Sequence, residues 1–184
     1  MSIIKTPAVV LKSDNYRETS KIITFYTQSH GKIKCIAKGV RKTSTKWGGC
    51  LQSMSYLNIL FYYKENRSLH LLSNSEYIEA YKNLQDDNEK LKIAYQIAEI
   101  VNRTTVEYHE NQHLFRLLVD SLSALNNATK NYVNVLFKFE TILAELLGFV
   151  VIPASFYVSI AVIISLYIVS AEITKKKFYS KIQT

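Results

Sequence analysis

The sequence predicts an α+β fold: a five-stranded β-barrel at the front, an all-α region behind it, and an apolar C-terminal segment. Three observations carry that expectation. Residues 1–80 hold five β-rich runs separated by turn residues, residues 81–148 hold three stretches with apolar side chains at three-and-four spacing, and the 26 residues from Leu146 to Ala171 carry no charge. The expected divisions are 1–80, 81–148 and 149–184.

The first run, Ile3 to Leu11, is apolar and β-branched and meets turn-forming residues at Ser13-Asp14-Asn15. The second is Lys21 to Gln28. Ser29-His30-Gly31-Lys32 then has hairpin character, since Gly31 can take a positive φ. Ile33 to Ala37 alternates apolar and polar residues as a half-buried strand does. Gly39 to Gly49 breaks the pattern with three basic residues and the single Trp, and reads as an exposed loop. Leu51 to Lys64 is a fourth run, and after the turn Lys64 to Arg67 a fifth spans Ser68 to Ser73. Five short strands in so few residues suit a small closed barrel, the five-stranded oligonucleotide-binding (OB) fold being the leading candidate.

The helical expectations follow from periodicity. Asn88 to Val101 places Leu91, Ala94, Tyr95, Ala98 and Val101 on one face. His113 to Leu125 does the same with Leu114, Leu117, Leu118, Ser121, Leu122 and Leu125. Asn131 to Leu147 carries Val135, Leu136, Phe139, Ile142, Leu143, Leu146 and Leu147, with Gly148 placed to end the helix. Each buries one stripe, so the helices should pack together or on the barrel.

Composition narrows the function classes. Apolar residues make up 48% of 184, which excludes a disordered chain, and two cysteines exclude a disulfide scaffold or a four-cysteine zinc site within one chain. Free thiols point to a reducing cytoplasm, and the start of the chain lacks the pattern of a signal peptide. The net charge of +8 is uneven: residues 1–80 carry 12 basic and 5 acidic residues, residues 81–148 carry 7 and 9, and residues 149–184 carry 4 and 1. A basic front region predicts a polyanionic partner, because each phosphate contact releases counterions.

Several segments together resemble the RecO family of bacterial recombination mediators. They are Thr6 to Leu11, Asn15 to Thr24, Phe25-Tyr26-Thr27, His30-Gly31-Lys32, Ala37 to Arg41, Leu51-Gln52, Ser55-Tyr56-Leu57 and Glu140 to Gly148. The resemblance covers residues 1–148, strongly in the first 80. It implies an N-terminal OB-fold barrel, a helical C-terminal domain, binding of single- and double-stranded DNA, and annealing of complementary strands. It also implies partnership with RecR and single-strand binding protein, so that RecA loads. Many members carry a four-cysteine zinc module beyond the position of Gly148; here the only cysteines, Cys35 and Cys50, fall in the barrel region, and no metal or other cofactor is expected.

The candidate DNA-binding residues are Lys32, Lys34, Lys38, Arg41, Lys42 and Lys46 for phosphate, with Tyr16, Tyr26 and Trp47 to stack on unpaired bases. The competing reading makes Tyr26 a core residue and the lysines a solvated face. Annealing needs no catalytic group, only neutralisation of two phosphate chains held loosely enough to pair. The rival enzyme reading rests on His109-Glu110-Asn111-Gln112-His113, which fits the zinc-protease letter pattern but lacks an apolar helical stripe and a third ligand.

The tail admits three readings. Phe149 to Ala171 has 16 Ala, Val, Ile, Leu or Phe in 23 residues, enough to cross a bilayer, and Lys175-Lys176-Lys177 follows. Pro153 and four serines weaken a membrane span, and a cytoplasmic lysine cluster would leave the barrel on the far side, away from DNA. The alternatives are a shifted reading frame after codon 148, giving an inactive truncated chain, or a buried element. A membrane-associated barrel binding anionic lipid is the runner-up to DNA binding.

Overall fold

The computed structural model describes residues 2–41, 47, 49–65, 67–149 and 154–182. Five strands, β1 (Ser2–Tyr16), β2 (Ser20–Thr27), β3 (Gly31–Ala37), β4 (Tyr56–Tyr63) and β5 (Leu69–Glu79), close into a barrel in the order β1-β2-β3-β5-β4. Each neighbouring pair is antiparallel except β3 and β5. That parallel joint is short: only Lys34, Cys35 and Ile36 pair, with Leu69, His70 and Leu71. The α+β class and the five-stranded OB-type barrel are thus as the sequence predicts.

Side-chain alternation divides the strands between two cores. Ala8 and Val10 of β1 point into the barrel with Ile23, Phe25, Ile33, Cys35, Leu57, Ile59, Phe61 and Leu72. Val9 and Leu11, one residue out of phase, join Tyr26 and Met54 in a second core shared with the helices. This explains the unbroken apolar stretch Ala8 to Leu11: both faces of β1 are covered there.

Three strand limits differ from the sequence expectation. β1 runs through Ser13-Asp14-Asn15 to Tyr16, because those residues pair with Ile23, Ile22 and Lys21 after a register shift between Val10 and Lys12. A ladder of backbone bonds does not require apolar side chains, and a bulge lets the long strand bend round the barrel. β4 starts at Tyr56, not Leu51: Met54 has φ 67, and its amide and the Ser55 carbonyl bond the Val10 backbone at 2.8 and 3.0 Å. β5 continues to Glu79, paired with Tyr56.

Four helices follow the barrel. The short α1 (Lys82–Gln85) has no counterpart in the periodicity. The others are α2 (Asn88–Thr104), α3 (Gln112–Asn127) and α4 (Val133–Leu146). α2 and α3 begin at side-chain caps: Asp87 accepts from the Glu89 and Lys90 amides, and Asn111 from the Leu114 amide. Gly148 follows α4 with φ 81, the left-handed position that favours glycine. Ile93, Ala94, Ile97, Ala98 and Val101 of α2 meet Leu114, Phe115, Leu118 and Leu122 of α3, and Phe139 and Leu143 of α4, in the second core. Tyr95 lies outside that stripe at 51% exposure, since Ile93 and Ile97 take the buried face. Lys90 is buried, its Nζ donating to the Asn126 carbonyl at 3.0 Å near the C-terminus of α3 and lying 5.2 Å from the Tyr132 ring centre. A cation there favours the helix dipole.

Barrel and helices form one compact unit, Met1–Leu147, and Gly148–Thr184 forms another. Within the second, α5 (Ala154–Ile182) includes the span Ser155–Lys175, long and apolar enough by length and composition to cross a membrane.

Candidate nucleic-acid interface

A basic site forms where the β1–β2 turn meets the chain leaving β3. Arg17 sits in the turn with φ 53, its guanidinium 5.2 Å from the Tyr16 ring centre. The chain after β3 is tied to that turn by Arg41, whose amide donates to the Thr19 carbonyl at 3.2 Å and whose Nη1 donates to the Arg17 carbonyl at 3.3 Å. Lys38 and Gly39 line one open groove with Arg17, Glu18, Thr19 and Ser20. Arg17, Lys38 and Arg41 are exposed, and none of them is in an ion pair among the described residues. Among the described residues, Glu18 is the one carboxylate that lines the groove.

Tyr16, Lys38 and Arg41 are therefore brought together. Lys42 and Lys46 lie outside the described residues. Arg17 completes the cluster and was not among the sequence candidates. Its signal was present: a basic residue in the first turn of an OB-type barrel stands in a loop that binds ligand in many such barrels.

Four candidates sit elsewhere. Lys32 is on β3 and reaches down to α2, where its Nζ donates to the carbonyls of Asn102 and Thr105, both at 2.6 Å. Those carbonyls end α2 without helical partners, so Lys32 acts as its C-terminal cap. Burial lowers the Lys32 pKa, against an opposing pull from Glu107 and with a small push from Lys34. Lys34 pairs with Glu107 at 2.6 Å. Tyr26 is fully buried with its ring stacked on Phe115, centres 6.5 Å apart, and burial pushes its phenol up to about 12. It is a core residue, and a base has no access to its ring. Trp47 is 3% exposed, packed in the barrel core with its Nε1 donating to the Lys38 carbonyl at 3.1 Å. The Trp47 side chain turns inward, because so large an apolar ring gains more from burial than from solvent.

The segment between α2 and α3 makes the contact with Lys32 and Lys34. Glu107 bridges Lys32 as a short parallel extension of the sheet, and the Tyr108 amide donates to the Lys32 carbonyl at 3.0 Å. The Tyr108 hydroxyl lies 2.7 Å from the Arg67 carbonyl and 3.1 Å from His70 Nε2. Gly31, with φ 61, lets this segment pass: a Cβ there would run into the His109 backbone. The half of β3 that β5 leaves unpaired is thus closed by the chain entering α3.

Among the described residues, the histidines and cysteines singled out by the sequence do not assemble into a site. In His109 to His113, Asn111 caps α3, so His109 and Glu110 precede the helix and cannot share a helical face with His113. Among the described residues no three His, Cys, Asp or Glu side chains gather to hold a metal. Cys35 and Cys50 are buried and unpaired, so the residues do not fit the four-thiolate zinc set of the resemblance. Burial raises both thiol pKa values, for Cys50 against a hydrogen bond with Ser75 at 3.0 Å.

Comparison with known proteins agrees with this architecture. Residues 1–81 match the family model "Recombination protein O N terminal", and residues 85–152 match "Recombination protein O C terminal". The chain is 36% identical over 147 residues to the DNA repair protein RecO of Salinibacter ruber, covering 80% of this chain and 56% of that protein. It is 30% identical over 149 residues to that of a Thermoanaerobacter species, covering 81% and 59%, and 32% identical over 147 residues to that of Prosthecochloris aestuarii, covering 80% and 56%. The chain spans a little over half the length of these relatives. Matched in order by both family models over a barrel followed by helices, it belongs to the RecO family.

Proposed function

We propose that this protein is a DNA-binding mediator of recombinational repair that binds single- and double-stranded DNA and promotes annealing of complementary strands. The observation that carries the reading is the exposed cluster in which Arg17 and Lys38 line one groove and Arg41, after β3, is hydrogen-bonded to the β1–β2 turn. Such cations contact phosphate without reading sequence. The groove is open, which suits a protein that must release a strand once it has paired. Residues 1–80 act as the nucleic-acid-binding domain and residues 81–148 as the helical domain that supports it. Tyr16 offers a ring beside Arg17, and Lys42 and Lys46 stay candidate phosphate contacts by sequence alone. The partners proposed from family membership are RecR and single-strand binding protein, with RecA loading as the outcome, in the cytoplasm. The function needs no catalytic residue.

The test is fluorescence anisotropy with a labelled oligonucleotide across a salt series, alongside strand annealing. Replacing Arg17, Lys38 and Arg41 with Ala should remove three phosphate contacts and flatten the log-affinity against log-salt slope by about 2, at roughly 0.7 per single-strand contact. An unchanged slope and annealing rate would overturn the assignment.

A second reading is favoured by α5, whose 21-residue span Ser155–Lys175 contains an 18-residue window of mean hydropathy 2.0 and meets Lys176-Lys177 at its end. It makes the chain membrane-associated, with anionic headgroups as the polyanion that the basic barrel residues bind. Sedimentation with vesicles containing anionic lipid, in competition with oligonucleotide, separates the two.

A further inference from the structure

Lys34 projects from β3 of an OB-type barrel, on a face where such barrels bind strands, yet its ammonium is already occupied. Glu107 Oε1 lies 2.6 Å from Lys34 Nζ, the position a phosphate oxygen would take, and both side chains are partly open to solvent, at 45% and 29%. The carboxylate is aimed by backbone, not by chance of a long side chain. Glu107 is bridged to Lys32, its neighbour Tyr108 donates to the Lys32 carbonyl, and the Tyr108 hydroxyl is fixed at Arg67 and His70.

We propose that Glu107 is a built-in competitor for strand phosphate at Lys34. The carboxylate neutralises the ammonium and keeps it from phosphate in most complexes of the native protein, so that a strand lying along the β3 face gains the Lys34 contact only where phosphate displaces Glu107. An ion pair this exposed is open to that exchange. Lys32 is not part of the exchange, because its ammonium is committed to the α2 carbonyls of Asn102 and Thr105. The device holds the β3 face in reserve behind the Arg17–Lys38–Arg41 rim and limits how tightly a strand is retained. It rests on the DNA-binding reading above.

The experiment uses the full 184-residue chain and a labelled single-stranded oligonucleotide over a salt series. Glu107→Gln should bind several-fold more tightly at low salt and steepen the log–log slope by about 0.7, one additional phosphate contact. Glu110→Gln makes the same charge change three residues along, where the carboxylate accepts from Gln112 Nε2 at 2.8 Å, and should leave the slope unaltered. Lys34→Ala should do little in the otherwise native chain but cancel the gain when combined with Glu107→Gln. Equal slopes for Glu107→Gln and Glu110→Gln, or a gain that survives loss of Lys34, would overturn the exchange. If the unaltered protein shows no salt-dependent binding at all, it is the DNA-binding reading that fails, and the inference falls with it.

Discussion

Tyr26 carries a cost that its surroundings do not repay. Its ring fills the space between barrel and α3, but its hydroxyl is buried without a hydrogen-bond partner among the described residues. A buried unpaired hydroxyl is unfavourable by about 1–3 kcal/mol. Tyr26→Phe should therefore keep or raise stability, by up to about 1 kcal/mol, and leave oligonucleotide affinity unchanged; urea unfolding and anisotropy check both halves. A loss of DNA binding in that variant would return the residue to the interface. At this scale the sequence was least informative. Nothing local in Ile33-Lys34-Cys35 announces that Lys34 meets a carboxylate 73 positions later, or that Lys32 caps a helix 70 positions away. The same lysines on a barrel without helices would be free cations. Trp47 is the converse: flanked by lysine and glycine it looks exposed, and only the closed barrel supplies the cavity that takes it.

Among the elements, the strands were legible because alternation is a local property, and the helical stripes because α2 and α3 each bury a single face. Strand ends were not. Ser13-Asp14-Asn15 reads as a turn until β2 is in place to pair with it. The four-residue α1 is too short to show a period. The element with most influence on the proposed interface is the α2–α3 connection, and Gly31 is the residue that lets it lie against β3. Gly31→Ala would impose a side chain on φ 61 and a Cβ on the His109 backbone. A penalty of about 2–3 kcal/mol is expected, read as a lower urea midpoint. The displaced connection should also pull Glu107 from Lys34, so the salt slope of the folded variant should steepen.

For the whole molecule, the charge asymmetry of the sequence correctly separates a basic front from a near-neutral middle, but it does not say which cations share a surface. That depended on closure of the barrel, which brings the β1–β2 turn to the chain after β3. Closure has a further consequence. β5 covers only three residues of β3, and the helices cover Val9, Leu11, Tyr26 and Met54 on the barrel's outer wall. A fragment cut at residue 80 would display that greasy wall together with an open run of backbone donors and acceptors beside Gly31 and Lys32. Such a piece should self-associate or precipitate on expression, whereas 1–147 should remain dispersed in light scattering. Anyone dissecting this protein for crystallography or single-molecule work should cut after α4 and leave the β-module its helical coat.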